Sequence, residues 1–218
     1  MLSLGFSGFS RDAHLKVLCL GAHCDDIEIG CGGTILKLLE QHKNTDVQWV
    51  VFGSDEQRSV EARHSANAFL RRTHSKVVTV NRFRTSFFPY SGAEIKLYFE
   101  TLKEFGPNLI FTHNRNDLHQ DHRVISELTW NTFRDHLILE YEIPKYDGDF
   151  GSPNLFVHLD ESTVREKLSF ILESFVSQRE KHWFDEETFR AILRLRGMES
   201  HSPTKYAEAF YCQKLILI

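Results

Sequence analysis

Apolar residues fall in short blocks divided by polar, turn-forming stretches, and the blocks alternate between two kinds of spacing. Residues 17–20 form a continuous apolar run closed by Gly21, the pattern of a strand buried on both faces. Ile35, Leu36, Leu38 and Leu39 then recur at helical spacing after Gly32, Gly33 and Thr34, with Asn44 as a stop. Residues 46–53 predict a second strand, and Ser54 or Asp55 is placed to cap a helix with Ala62, Ala66, Phe69 and Leu70 on one face. A third strand is predicted over 76–80 and a loop over 81–92. A helix carrying Ile95, Phe99, Leu102 and Phe105 follows, broken at Gly106, Pro107 and Asn108. Residues 109–112 predict a fourth strand that runs into a histidine-rich loop.

Strands alternating with helices through short breaks indicate βαβ units. The expected fold class is therefore α/β: a Rossmann-like three-layer sandwich with a mostly parallel sheet. In such sheets ligands gather outside the carboxyl ends of the strands, and the active site is expected there. The last third is less regular. Asp160 or Ser162 can cap a helix bearing Val164, Leu168, Ile171, Leu172 and Phe175, and a second helix is predicted over about 186–195. A loop over 197–204 and an apolar segment over 206–218 complete the chain. With no linker, repeat or low-complexity tract in the sequence, residues 1–218 read as a single domain.

Composition narrows the partners. Charged residues make up 26% of the chain, mixed in sign, and the formal net charge is -4, so nothing predicts nucleic-acid binding. No stretch reaches the length of a membrane helix, and residues 1–14 lack the basic and apolar regions of a signal peptide. Cys19, Cys24, Cys31 and Cys212 form no CxxC pair, which reads as free thiols in a reducing compartment, with Cys19 in the core. The expected location is cytoplasmic.

Two clusters carry the chemistry. The first, Gly21-Ala22-His23-Cys24-Asp25-Asp26-Ile27-Glu28, places a histidine and three carboxylates directly after the first strand. Crowded carboxylates at a sheet end call for a compensating cation, and a histidine with aspartates suits Zn²⁺ or, less selectively, Fe²⁺, Co²⁺ or Mn²⁺. A solvated acidic turn in which Asp26 or Glu28 caps the next helix is the competing reading. The glycines at 30, 32 and 33 lack GxGxxG spacing, which argues against a dinucleotide loop. The second cluster, from His113 to His122, holds His113, Asp117, His119, Asp121 and His122 after the fourth strand. A catalytic zinc site has three protein ligands and an open position, and His23, Asp26 and one histidine of this second cluster would meet that need. The remaining histidine and aspartate would then be free for acid–base or oxyanion work. Together the clusters point to a metal-dependent hydrolase.

At these residues the sequence resembles the LmbE/PIG-L family of zinc-dependent amino-sugar N-deacetylases. Ala22-His23-Cys24-Asp25-Asp26 with Glu28 is similar to its AHPDD signature, and His119-Gln120-Asp121-His122, preceded by Asn116-Asp117, to its HPDH signature. Arg58 with Glu61 resembles an RxxE element, and Tyr206-Ala207-Glu208-Ala209-Phe210 a C-terminal motif, so the likeness spans about residues 16–212. Cys24 and Gln120 stand where the family has proline; a thiol at 24 could compete as a ligand or oxidise. The resemblance implies that His23, Asp26 and His122 bind zinc and that Asp25 is the general base on the metal's water. It further implies that His119 stabilises the oxyanion or protonates the departing amine, that Asp121 tunes His119, and that Arg58 contacts substrate. The implied partner is a small N-acetylated amino sugar, and the chain is free to form a homo-oligomer. Another small amide or ester, or a non-catalytic metal-binding module, is the alternative. Phe83, Phe87, Phe88 and Tyr90 can form a sugar-stacking wall or pack as core or lid; Glu28 reads as a loop anchor and Glu208 as structural. His158, His182 and His201 are isolated.

Overall fold

A computed structural model of the protein describes residues 14–216. The leader-free reading of residues 1–14 and the last two residues of the apolar terminal segment fall largely or wholly outside that range. The elements run β1 (Leu15–Gly21), α1 (Asp26–Gln41), β2 (Thr45–Gly53), α2 (Glu56–Phe69), β3 (Ser75–Phe83), α3 (Gly92–Leu102) and β4 (Leu109–His113). They continue with α4 (Gln120–Thr132), β5 (Leu137–Tyr141), β6 (Leu155–Leu159), α5 (Glu161–Ser174), α6 (Glu186–Glu199) and β7 (Tyr206–Cys212).

One seven-stranded sheet has the order β3-β2-β1-β4-β5-β7-β6. The five strands β1 to β5 pair in parallel, and β7 runs antiparallel between β5 and β6. Alternation along the strands divides the core in two. Val17 and Cys19 of β1 with Trp49 of β2 join Leu38, Phe69, Leu168 and Leu193 from α1, α2, α5 and α6 on one face. Leu18, Leu20 and Phe52 join Phe99 of α3 and Ile125 of α4 on the other. Helices thus cover both faces of a mostly parallel sheet, a three-layer α/β arrangement. From β1 the chain steps outward through β2 to β3, then returns so that β4 lies on the other side of β1. That reversal puts a topological switch point, where ligands of such sheets gather, between the carboxyl ends of β1 and β4.

Three differences from the sequence-based expectations bear on the site. Helix α1 begins at Asp26, ahead of the glycines, not after Thr34. Glycine disfavours helix, but here close contacts require it: a Cβ on Gly30 would lie 2.2 Å from Tyr141, and one on Gly33 2.5 Å from Leu159. The histidine-rich stretch is only partly loop, because α4 starts at Gln120 and places Asp121 and His122 in its first turn. Strands β5 and β6, of only five residues each, extend the sheet beyond the four strands read from the sequence. The caps resolve to Asp55 for α2 and Asp160 for α5, each accepting from an amide three residues on. Among the described residues no helix is long and apolar enough to cross a membrane.

Candidate metal centre

The carboxyl ends of β1 and β4 bring both sequence clusters together. The turn after β1 supplies His23 and Asp25, the first residue of α1 is Asp26, and β4 ends on His113. His119 is the N-cap of α4, its Nδ1 accepting from the Asp121 amide at 3.1 Å. His23 Nδ1 lies 3.1 Å from His122 Nε2 and 3.5 Å from Asp26 Oδ2, and His122 Nε2 lies 3.6 Å from Asp26 Oδ1. Adjacent ligands of a tetrahedral zinc ion, at bond lengths of about 2.0–2.2 Å, lie about 3.3–3.6 Å apart; the two separations to Asp26 fall in that range, one to each of its oxygens, and the two imidazole nitrogens sit slightly closer.

Each imidazole is held from behind by a carboxylate. His23 turns Nε2 to Asp121 Oδ2 at 3.2 Å, which leaves Nδ1 facing the triangle. His122 turns Nδ1 to Asp117 Oδ2 at 2.9 Å, which leaves Nε2. Such partners set the tautomer and orientation of metal-binding histidines. Asp117 is in turn held by Lys145 Nζ at 3.0 Å, and Lys145 also donates to Asp149 at 2.6 Å. Asp121 is fixed by the amides of Ser86 at 2.5 Å and Phe88 at 3.2 Å.

The electrostatics ask for positive charge. Burial opposes protonation of His23, but the neighbouring carboxylates of Asp26 and Asp121 outweigh it and lift its pKa to about 9. Asp26, despite burial, is held well below the usual carboxylate range by His122, His113 and His23. His122 is pushed down to about 3 by burial and by His113, so its ring is a neutral donor. Burial and the charge of His23 also lower His119. A neutral His119 whose Nδ1 accepts a backbone bond carries its proton on Nε2 and is a hydrogen-bond donor there.

Asp25 and Arg58 form a second unit beside the triangle. Arg58 Nη2 donates to Asp25 Oδ1 at 2.7 Å, while the buried Asp25 Oδ2 has no protein partner. The Arg58 guanidinium, expected at the substrate, is thus engaged with the expected base. Asp121 also differs from expectation. Its hydrogen bonds go to His23 and to the loop after β3, and it reaches His119 only through its charge, because the α4 backbone already occupies His119 Nδ1.

Residues 18–133 match the PIG-L family, described as GlcNAc-PI de-N-acetylase. The chain belongs to the PIG-L family. Solved structures with the same fold include N,N'-diacetylchitobiose deacetylase from Pyrococcus horikoshii in complex with its inhibitor MPG. It has a TM-score of 0.72 and 23% identity over 96% of this chain and 87% of that one. The 4-carboxy-2-hydroxymuconate hydratase GalB from Pseudomonas putida KT2440 has a TM-score of 0.71 and 15% identity, covering 94% and 98%. The zinc inhibited form of teicoplanin deacetylase Orf2 has a TM-score of 0.69 and 13% identity, covering 90% and 97%.

Within this PIG-L chain the two departures from the family signatures have local substitutes for proline. Cys24 is buried with its thiol on the Gly53 carbonyl at 3.6 Å, and burial pushes the thiol up, so it is a packing group turned from the triangle. Gln120, the first residue of α4, ties its side-chain amide to the Ser86 carbonyl and so joins α4 to the loop after β3. In the aromatic loop Phe88 is core, while Phe87 and Tyr90 are exposed. Glu28 is fully buried, and burial pushes its carboxyl well above the usual range. Three contributors carry no assigned role in the sequence reading: His113 and Asp117, both members of the second cluster, and Lys145. Asn116-Asp117 had a signal in the second signature. His113, whose Nε2 lies 2.9 Å from the Ala22 amide and 3.1 Å from Asp26 Oδ2, opens the second cluster at a strand end, and Lys145 lies outside both clusters.

Proposed function

We propose that the protein is a zinc-dependent hydrolase that removes the N-acetyl group from an amino sugar, a GlcNAc-like glycoside or sugar nucleotide. The observation that carries this reading is the triangle of His23 Nδ1, His122 Nε2 and Asp26, with both imidazoles backed by carboxylates, in a chain of a de-N-acetylase family. These three residues would hold the ion at the carboxyl end of the sheet. A bound zinc ion would supply a Lewis acid that polarises the acetyl carbonyl and brings the pKa of water towards ~7.

The chain's own groups account for the proton traffic. Arg58 fixes Asp25 Oδ1, so the free Oδ2 accepts the proton of the attacking water. His119 Nε2–H donates to the acyl oxygen as negative charge builds there; its neutral state suits it to be a donor, not an acid. The proton on Asp25 then passes to the departing amine nitrogen. A C–O bond forms and the C–N bond breaks, leaving acetate and a free amine. Asp121 and Asp117 keep His23 and His122 in their ligating tautomers.

The test is acetate release, followed by mass spectrometry, from N-acetyl sugars, their nucleotides and a GlcNAc-inositol glycoside, with simple esters alongside. Loss of acetyl from at least one amino sugar, abolished by a chelator and restored by zinc, is expected. Turnover confined to esters would instead establish the other-hydrolase reading. Zinc bound without any turnover would leave a binding module.

A further inference from the structure

Among the described residues, three groups of metal-type side chains converge. Two share His122 and belong to the centre above; the third is His14, Asp46 and His74. It lies at the opposite end of the sheet, where β1, β2 and β3 begin. His14 immediately precedes β1, Asp46 is the second residue of β2, and His74 immediately precedes β3. His14 Nε2 lies 2.7 Å from Asp46 Oδ2, His74 Nδ1 lies 3.0 Å from Asp46 Oδ1, and the rings stand edge to face with centroids 6.1 Å apart.

We propose that His14, Asp46 and His74 form a second site for a first-row transition ion, zinc, nickel or copper(II), separate from the catalytic centre. Two imidazoles and a carboxylate are a donor set such ions favour, and three protein ligands leave open positions for water. The backbone holds the three positions in place. The Leu15 amide bonds the Asn44 carbonyl at 3.0 Å, the His74 amide bonds the Thr45 carbonyl at 3.0 Å, and the Thr73 hydroxyl bonds the same carbonyl at 2.6 Å. Parallel pairing sets Lys16 opposite Asp46 and Asp46 opposite Ser75. The donors therefore need only side-chain adjustment to close on an ion. Each histidine now turns a ring nitrogen to Asp46; on loading, that nitrogen would go to the ion and the ring proton would sit on the other nitrogen. Asp46 is anionic in this setting, because the two histidines hold it below the usual carboxylate range despite its partial burial. An ion here would tie the starts of three strands together.

The experiment is metal binding to the full chain, with zinc as the probe, by equilibrium dialysis and elemental analysis. H14A/H74A is expected to bind one equivalent fewer than the wild type at saturation while releasing acetate at the wild-type rate. D46N, close to native in shape, is expected to weaken that equivalent at least tenfold, with its circular dichroism spectrum unchanged. Copper(II) bound to H23A/H122A should show imidazole nitrogen hyperfine coupling in its EPR spectrum, lost when H14A/H74A is added. Equal stoichiometry and affinity in the wild type, H14A/H74A and D46N would overturn the proposal and leave the trio a hydrogen-bonded surface cluster.

Discussion

Helix α1 meets two buried charge clusters, and they are built on opposite principles. Beside its middle, Glu208 accepts from the amides of Gly33 at 2.8 Å and Thr34 at 2.6 Å and from Lys167 Nζ at 2.6 Å. Lys167 also donates to the Ile29 carbonyl at 2.7 Å. One anion faces one cation and their hydrogen bonds close on each other. At the N-terminus of α1 the cluster does not close. Asp25, Asp26, Asp117 and Asp121 crowd four histidines, with Arg58 and Lys145 paired to Asp25 and Asp117, and Asp25 Oδ2 and His113 Nδ1 lack partners. The lift in His23 shows that deficit, since burial alone would lower it. A closed pair is architecture. An open one, held in place by the fold, is shaped for a cation and a reacting molecule.

The largest effects should come from breaking the open cluster. His122→Ala is expected to abolish acetate release together with metal binding. Asp25→Asn is expected to keep the metal and lose about 10²–10⁴-fold in kcat, the usual worth of a positioned general base. Metal content measured beside turnover separates the two, and equal zinc loss in both variants would sink the division of roles.

Breaking the closed pair should instead appear in stability. Glu208→Ala strands the Lys167 ammonium and two helix amides in the core, an expected loss of about 3–5 kcal/mol in unfolding free energy. Denaturant titration measures it. A Lys167→Met/Glu208→Gln double variant should recover much of that loss, because no buried charge is left alone. If the double variant were less stable than Glu208→Ala, the pair would be contributing more than closure.

The same contrast explains what the sequence discloses. The apolar blocks identify β1 to β4 and their helices, because β1 and β4 are buried along their length and each helix buries one face. Both signatures lie at the ends of those strands, so order alone brings His23, Asp26 and one histidine of the second cluster to the same end of the sheet; the choice of His122 rests on the family resemblance. What cannot be read is who stands behind whom. Asp121 is two residues from His119, yet α4 turns its side chain to His23, nearly a hundred positions earlier in the chain. Lys145 reaches Asp117 from the segment after β5, a strand whose five residues carry too short a pattern to be distinguished. The glycines in α1 mislead for a related reason: they read as a turn, but they are there for Tyr141 and Leu159, which only the closed sheet brings near.

A smaller effect should come from the carboxylates behind the ligands. Asp117→Ala or Asp121→Ala frees one imidazole to turn, and loss of such a partner typically costs about 10–100-fold in metal affinity. Competition with a zinc-binding dye measures it. The Asp117 variant should be the weaker binder, because it also leaves Lys145 with one carboxylate fewer beside His122. Affinity unchanged in both would mean that the fold alone holds the rings.

Arg58 gives the smallest effect and the sharpest division between architecture and chemistry at this end of α1. Among the described residues its guanidinium hydrogen-bonds one charged side chain, Asp25, and a bond of that kind is worth about 1.5–3 kcal/mol. Removing it by Arg58→Ala leaves Asp25 free to rotate and without its cationic partner. The bond acts on the base, so the loss should fall on kcat, by about tenfold or more at that energy, with KM little changed. A guanidinium that instead bound the sugar would show the reverse, a raised KM with kcat preserved. Arg58→Lys discriminates further. It restores the charge but not the reach or fork of the guanidinium, so it should recover only part of kcat if orientation of Asp25 is what Arg58 provides. Full recovery with lysine would reduce the role of Arg58 to its charge.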